Sequence, residues 1–371
     1  MQNCRWGILG TAEISRKNWQ AIHLSGNGVV TAVASRSADR SREFVEGCQA
    51  RVPFDSPPAA LDTYEALIDS PDVDAIYIPL PTGLRKPWVI AAARAGKHVL
   101  CEKPCAASAD DLREMVDACQ ANNVQFMDGV MYMHGNRLGR LREALDDPEN
   151  VGQVRRICTQ FSFCADESWL STNIRLNSEL EPQGCLGDLG WYCIRFALWT
   201  LNWQMPLQVR GRILTERKRD DSPHPVPLEF SAELLFENQV TAQFYCSFIT
   251  HHQQWANISG DRGYIHLPDF VLPYQGNRTG FDISKAEFVL EHCDFYMKDV
   301  RQAVWSDEAG NSTPNSQETN LFRNFAELAT SGAPDHRWSD WALKTQMVLD
   351  ASLVSARSDQ PIDLPRSVAA G

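Results

Sequence analysis

Through the first 128 residues, short apolar runs alternate with amphipathic stretches of helix length, the rhythm of a parallel sheet whose strands are joined by crossover helices. The pattern predicts strands over 5–9, 29–35, 52–54, 75–79, 98–101 and 124–127, with helices over 14–25, 39–47, 63–68, 87–95 and 109–122. The last helix opens on a capping-box-like Ser108-x-x-Asp111 and keeps a helical apolar spacing at Leu112, Met115, Val116 and Cys119. After residue 129 the runs lengthen and alternate, over 154–163, 208–214, 229–236, 240–248 and 264–267, which predicts a second, mostly antiparallel sheet with a hairpin turn at Glu237-Asn238. The segment 187–203 is apolar nearly all round and reads as a buried helix. The charged stretch 215–227, with prolines at 223, 225 and 227, reads as a surface loop, and 317–330 and 338–358 as amphipathic helices. We therefore expect an α/β protein of two domains: a Rossmann domain over 1–128, and over 129–371 an α/β domain with a large, open-faced sheet, its helix 338–358 packing back on the first.

Composition narrows the function. The 371 residues are 43% hydrophobic and carry a net charge of −12, so the chain can bury a large core. That acidity argues against nucleic acid or an anionic membrane as partner, and any phosphate-bearing ligand requires a local basic pocket. No apolar run approaches the ~18 residues of a spanning helix, and the N-terminus lacks a signal-peptide pattern. Eleven cysteines stand singly without a Cys-x-x-Cys pair, and the nine histidines show no ligand spacing. Reduced thiols, a cytoplasmic location and no metal are the expectations.

Strand 5–9 runs into Gly10-Thr11-Ala12-Glu13-Ile14-Ser15, which overlays the G-x-G-x-x-G/A phosphate fingerprint as Gly10, Ala12 and Ser15. The first position serves a tight turn, the second close approach of backbone to pyrophosphate, and the third helix-on-strand packing; all three residues are small. Many α/β folds without a nucleotide share such a turn, so the second strand discriminates. It ends Ala34-Ser35-Arg36 where an NAD site carries Asp or Glu, and Arg40 and Arg42 follow. In so acidic a chain these cations suit a 2′-phosphate, which favours NADP with NAD as the alternative; the plain reading is a solvated helix face.

The fifth strand ends in Glu102-Lys103-Pro104, with Lys103 directed toward the crevice at the carboxyl ends of the strands and Pro104 in an unusual turn. At this point the chain resembles the glucose–fructose oxidoreductase, inositol dehydrogenase and rhizopine-catabolism (Gfo/Idh/MocA) family of NAD(P)-dependent oxidoreductases. The resemblance spans nearly the whole chain: Trp6-Gly-Ile-Leu-Gly-Thr-Ala, Ala34-Ser-Arg, Ala95-Gly-Lys-His-Val-Leu-Cys-Glu-Lys-Pro104, Gly187-Asp-Leu-Gly-Trp-Tyr192, and Ile258-Ser-Gly260 with Gly263. It implies a Rossmann domain followed by an open-faced α/β domain whose sheet commonly forms the oligomer interface, with Lys103 as the active-site lysine. The cofactor residues are then Gly10, Thr11, Ala12, Glu13, Ile14, Ser35, Arg36, Arg40, Pro79, Leu80, Thr82, Glu102 and Lys103.

Asp188 and Tyr192 stand at i, i+4, which on a helix places carboxylate and phenol on one face. The resemblance gives Tyr192 the acid/base position and Asp188 the substrate-hydroxyl position. Alcohol oxidation needs a base for the hydroxyl proton, and a free phenol is too weak at neutral pH unless a cation such as Lys103 stabilises the phenolate. Read without the other motifs, Asp188 is a helix cap and Tyr192 a core aromatic. The chain departs from its relatives at Pro79-Leu-Pro-Thr82-Gly-Leu-Arg85, where Arg85 replaces a common His; a guanidinium transfers no proton near neutral pH and suits an acidic substrate or the cofactor diphosphate instead. Trp169 and Trp255 offer stacking faces for a sugar, although core or interface is the usual place for tryptophan.

The expected function is NADP-dependent interconversion of an alcohol and a carbonyl on a sugar, cyclitol or dihydrodiol, in a homodimer or homotetramer. Two alternatives stand beside it: an NADP-binding regulatory or sensor protein without turnover, and a redox-assisted glycosidase of the same family.

Overall fold

The computed structural model describes residues 3–310 and 312–365. Its first half is a six-stranded parallel sheet in the order β3-β2-β1-β4-β5-β6. The elements are β1 (Cys4–Leu9), α1 (Glu13–Ser25), β2 (Gly28–Ala34), α2 (Ala38–Gln49), β3 (Ala59–Leu61), α3 (Tyr64–Ile68), β4 (Ala75–Ile78), α4 (Arg85–Arg94), β5 (His98–Cys101), α5 (Ala109–Ala121) and β6 (Phe126–Asp128). β4 is buried at every position and β1 at all but one, because helices cover both faces of a parallel sheet. Strand order reverses between β1 and β4, so a crevice opens at their carboxyl ends, where Gly10 and Pro79 lie.

The third strand lies at Ala59–Leu61 and not at 52–54. Phe54 is apolar because it plugs the core as a loop residue, its ring centroid 5.2 Å from that of Trp19. The Gln49 side chain brackets it, donating to Phe54 O at 2.6 Å and accepting from Phe54 N at 3.1 Å. The true strand is a short edge whose Ala59 and Ala60 are exposed, so it carries no apolar signal.

The second half adds α6 (Asn136–Asp146), β7 (Val154–Cys164), α7 (Glu167–Thr172), α8 (Trp191–Thr200), β8 (Gln208–Arg217), β9 (Val226–Leu235), β10 (Thr241–Ser247), β11 (Ile249–Gly260), β12 (Tyr264–Leu267), β13 (Thr279–Glu291), β14 (Asp294–Ser306), α9 (Gln317–Ser331), α10 (Arg337–Ser358) and β15 (Ile362–Asp363). Nine strands form one sheet, β14-β13-β12-β11-β7-β10-β9-β8-β15, antiparallel except for the β10–β7 pair. The turn at Glu237-Asn238 joins β9 to β10 as expected. The expected loop 215–227 shrinks to 218–225, because β8 and β9 claim its ends. α6, β11, β13 and β14 escaped the pattern. β11 starts on the polar Thr250-His-His-Gln-Gln and breaks register there, and β14 is exposed along nearly its whole length. The expected helix 187–203 is instead a widened, π-type turn over Leu186–Gly190 followed by α8.

One face of this sheet packs on α8 and α10; the other presents Arg156, Gln160, Arg212, Glu233, Tyr245 and Trp255 around a shallow groove of about 590 Å³. The chain then returns to the first domain. α9 sets Phe322 and Phe325 against Trp6, with ring centroids 5.2 and 5.0 Å away, and α10 lies on α5 and β6 as well as on α8 and β8. A fully buried ion pair joins the two halves. Arg195 of α8 donates to both oxygens of Asp128, at the end of β6, at 3.2 and 2.5 Å, Trp191 Nε1 adds a third bond at 3.2 Å, and Arg195 Nε reaches Thr345 of α10 at 2.8 Å.

Candidate active site

The turn after β1 is built as the fingerprint requires. Gly10 has φ +115°, and a Cβ there would also press on Leu80 at 3.1 Å, so only glycine suits the position. Thr11 leads to Ala12, which is extended and begins α1 without a side-chain cap, so among the described residues no side chain caps the first turn. Ser15 is wholly buried against the sheet. Ala12, Glu13 and Ile14 line a cavity of about 700 Å³, together with Pro79, Leu80, Glu102, Lys103, Asp188 and Tyr192. These residues fit a dinucleotide: an uncapped helix N-terminus, a glycine turn and a small second residue face a cavity of the right kind.

At the end of β2, Ser35 is buried and its hydroxyl belongs to the α2 turn, donating to Ser37 O at 2.7 Å and accepting from Ser41 Oγ at 3.0 Å. Arg36 and Arg40 are exposed beside Tyr64, whose phenol is raised by burial against the pull of both guanidiniums, and Arg42 pairs with Asp39 at 3.1 Å. These two arginines, and not Ser35, are what this end of the crevice offers a phosphate.

Two residues of the β4–α4 turn serve the frame. Thr82 is buried and bonds Glu181, through its amide at 3.1 Å and its hydroxyl at 2.5 Å. Arg85 was expected to meet an acidic substrate or a diphosphate. Its guanidinium is instead buried among backbone carbonyls, donating to Leu80 O at 2.6 Å, Glu102 O at 2.7 Å and Pro104 O, so it ties the ends of β4 and β5 together. Trp169 packs edge-on against Phe163 and Phe248, while Trp255 faces the open groove of the second sheet.

The chemistry gathers at Lys103. Its peptide bond to Pro104 is cis, and Gly187 lies against the proline so closely that a Cβ would sit 3.2 Å from Pro104 Cγ and 2.9 Å from Gln183 Cβ. That approach brings the π-type turn, and Asp188 with it, onto the lysine. Lys103 Nζ donates to Asp188 Oδ1 at 2.7 Å and to Asp188 O at 2.8 Å, and stands 4.7 Å from the centre of the Tyr192 ring. The ammonium therefore lies over the face of the phenol ring and bonds Asp188, not the hydroxyl. The expectation of a phenolate held by Lys103 is corrected accordingly: burial first, then Glu102 and Asp188, push the phenol well above its usual value, with Arg175 pulling the other way. Burial thus favours the neutral phenol at Tyr192. Its hydroxyl meets Met131 Sδ at 3.7 Å, a weak acceptor that leaves it able to bond a ligand. Asp188 behaves in the opposite manner: burial would raise its pKa, but Arg175 and Lys103 overcome that and hold it at about 2.

Below the lysine, Asn18 donates to Tyr77 Oη and Tyr77 to Glu102 Oε1, both at 2.6 Å, and Glu102 Oε2 accepts from Lys103 N at 3.2 Å. Beyond it, Lys103, Asp188 and Tyr192 also border a second recess of about 250 Å³, lined by Phe161, Phe163, His252 and Leu272. The trio thus stands between a large cavity and a small one. The motifs did not reveal Arg175, Lys17, Met131, Glu318 or Phe322, which share the larger cavity. Lys17, paired with Glu318 at 2.5 Å, had a usable signal in its i, i+4 relation to Glu13; the others are placed by the fold alone. Among the described residues no cluster of three His, Cys, Asp or Glu could hold a metal, and no helix is long and apolar enough to cross a membrane.

A Rossmann sheet with a phosphate turn, a lysine–carboxylate–tyrosine group at its strand ends and a second open-faced sheet defines a two-domain nucleotide-dependent oxidoreductase. The chain belongs to the Gfo/Idh/MocA family: residues 4–130 match the oxidoreductase family, NAD-binding Rossmann fold, and residues 139–266 match the GFO/IDH/MocA C-terminal domain. It is 35% identical over 288 residues to a dTDP-3,4-didehydro-2,6-dideoxy-alpha-D-glucose 3-reductase of Streptomyces violaceoruber, covering 76% of this chain and 78% of that protein. A D-xylose 1-dehydrogenase (NADP(+)) 2 of Haloferax volcanii is 32% identical over 258 residues, covering 70% and 74%. In fold it is similar to a 3-ketoreductase from Actinomadura kijaniata solved with NADP and TDP-benzene, with a TM-score of 0.76, 23% identity, and 95% and 98% of the two chains covered.

Proposed function

We propose that this protein is an NADP-dependent oxidoreductase interconverting an alcohol and a carbonyl on a sugar, cyclitol or dihydrodiol. The observation that carries the reading is the Lys103–Asp188–Tyr192 group, set where the cavity at the N-terminus of α1 meets the smaller aromatic recess. The first-turn amides of α1 and the small Ala12 would receive the diphosphate, and Arg36 and Arg40 the 2′-phosphate. When bound, the nicotinamide gives or takes a hydride at its C4. The chain's own residues manage the oxygen. In the reductive direction Tyr192 Oη, favoured in its neutral form by burial, delivers its proton to the substrate oxygen and is left as a phenolate; the oxidative direction is the same transfer reversed, starting from that phenolate, which takes the alcohol's proton. Lys103 Nζ, held by Asp188 and lying on the phenol ring, offers positive charge to that oxygen as it becomes an alkoxide. Phe161, Phe163 and His252 suit a ring with an apolar face and a polar rim.

The relatives described above, a dTDP-sugar 3-reductase and an NADP-dependent xylose dehydrogenase, support a sugar-like substrate and NADP. Purified protein mixed with NADP(H) and a panel of aldoses, cyclitols, dihydrodiols and keto-sugars tests the reading by nicotinamide absorbance. Oxidation or reduction with at least one class is expected; binding of NADP without turnover of any class, in either direction, overturns it. We further propose that the protein is cytoplasmic, on its free and unpatterned thiols, and that it self-associates through the open sheet face around Trp255. Sedimentation as a monomer would overturn the second point.

A further inference from the structure

The Asp188 carboxylate is met by two cations, one on each oxygen. Lys103 Nζ lies 2.7 Å from Oδ1, and Arg175 Nε lies 2.7 Å from Oδ2. The motif accounts for the first and is silent on the second. Arg175 belongs to the segment between α7 and the π-type turn, and that segment is fastened on both sides. Asn173 Oδ1 accepts from Arg175 N at 3.1 Å, and Gly83 N donates to Leu180 O at 2.9 Å. Thr82 grips Glu181 as described above, and a Cβ on Gly83 would lie 2.0 Å from Glu179 O, so the Rossmann domain and this segment touch backbone to backbone. The guanidinium is thus delivered to Asp188 by the framework, while its side chain keeps 39% exposure and lines the cavity.

We propose that Arg175 is a positioning residue for the reaction proposed above: it clamps Asp188 Oδ2, turns Oδ1 to Lys103, and leaves Lys103, Asp188 and Arg175 with one net positive charge between them. The inference rests on the proposed activity. In a lysine–aspartate pair alone the carboxylate offsets part of the field that Lys103 presents to a developing alkoxide; the second cation, on the far oxygen of Asp188, offsets the carboxylate in turn. It also opposes the burial that would otherwise favour a protonated carboxyl. The groups facing Asp188 are Lys103 from the loop after β5, Arg175, Tyr192 from α8 and Cys246 from β10; Glu102 acts on Tyr192, and Glu181 acts on Arg175.

Arg175→Gln and Arg175→Lys provide the test. With Gln, kcat should fall and the acid limb of its pH profile should move up by about one to three pH units, the usual effect of removing an adjacent opposite charge. With Lys, most of the rate and of the limb's position should return. An acid limb unmoved by Arg175→Gln, or equal losses in both variants, overturns the proposal. A readout without turnover keeps it separate from the activity itself. With Arg175 in place, Asp188 is held at about 2, below its unfolded value, so its contribution to stability is present above about pH 4 and lost as pH falls toward 2; the gap in thermal midpoint between the protein and Asp188→Asn should therefore narrow between about pH 5 and about pH 2. In the Arg175→Gln background, where the folded carboxyl returns toward its unfolded value, that narrowing should shrink. Equal narrowing in both backgrounds counts against Arg175 even if no substrate is found, whereas absent turnover with unequal narrowing sinks only the activity.

Discussion

At the residue scale the proposed site treats two acids in one wall in opposite ways. Asp188 is driven ionised by two cations, and Tyr192, one helical turn on, is driven neutral by burial and by the carboxylates nearby. Environments that separate two groups so widely assign them different tasks. Tyr192→Phe should therefore lower kcat by about 10²- to 10⁴-fold, the range for a lost acid/base, and leave NADP affinity unchanged in a fluorescence titration. Arg36 makes an independent prediction, since it lies outside the main cavity, on the shelf beside Tyr64. Arg36→Ala should weaken NADP binding by about 1.5–3 kcal/mol, the worth of hydrogen bonds to a charged group, and leave NAD binding as it was, which isothermal titration can read. Arg85 is a residue whose use the sequence left open. A guanidinium satisfies three carbonyls of strand ends as well as it satisfies an anion, and no pattern in one chain distinguishes those uses.

At the scale of elements, the short parallel strands were legible because each is apolar throughout and bounded by turn residues. The errors came where burial and element type part company. Phe54 is a buried loop residue, Ala59–Leu61 an exposed strand, and β13–β14 a ribbon carrying exposed Phe288, Leu290, Phe295 and Met297. The contact between α5 and α10 yields a pH prediction. Asp350 of α10 accepts from Ala109 N, at the start of α5, at 2.6 Å, and burial raises its pKa to about 6 from the usual 3.8. The folded state therefore binds this proton more tightly than the unfolded state does. Its contribution to stability is present in full below about pH 4 and is lost as pH rises through about 6, at about 1.4 kcal/mol for each unit of displacement. Asp350→Asn keeps an acceptor for Ala109, and its amide can pair with Gln346 Oε1, which has no hydrogen-bond partner among the described residues. Thermal unfolding of that variant should lose the wild-type decline between about pH 4 and about pH 6.

At the scale of the whole molecule, the two halves are held by a wholly buried charge pair and by the return of α9 and α10 to the first domain. Asp128→Ala strands the Arg195 guanidinium, and the expected loss is about 3–5 kcal/mol in denaturant unfolding. A double replacement of Asp128 and Arg195 by apolar residues should recover part of it, because no charge is then left buried alone. The phosphate turn was legible in the chain because backbone sterics demand small residues there, whereas Lys103, Asp188 and Tyr192 stood out only through the family resemblance, since read alone Asp188 is a helix cap and Tyr192 a core aromatic. The sequence by itself settled the α/β class and the two kinds of sheet, because hydrophobic period and turn composition are local properties. Tertiary structure alone decided that the lysine bonds the carboxylate and lies on the phenol ring, that Arg175 closes the other side, and that Arg85 and Thr82 belong to the frame. Those outcomes depend on distances between residues far apart in the chain, which close packing fixes and no local pattern records.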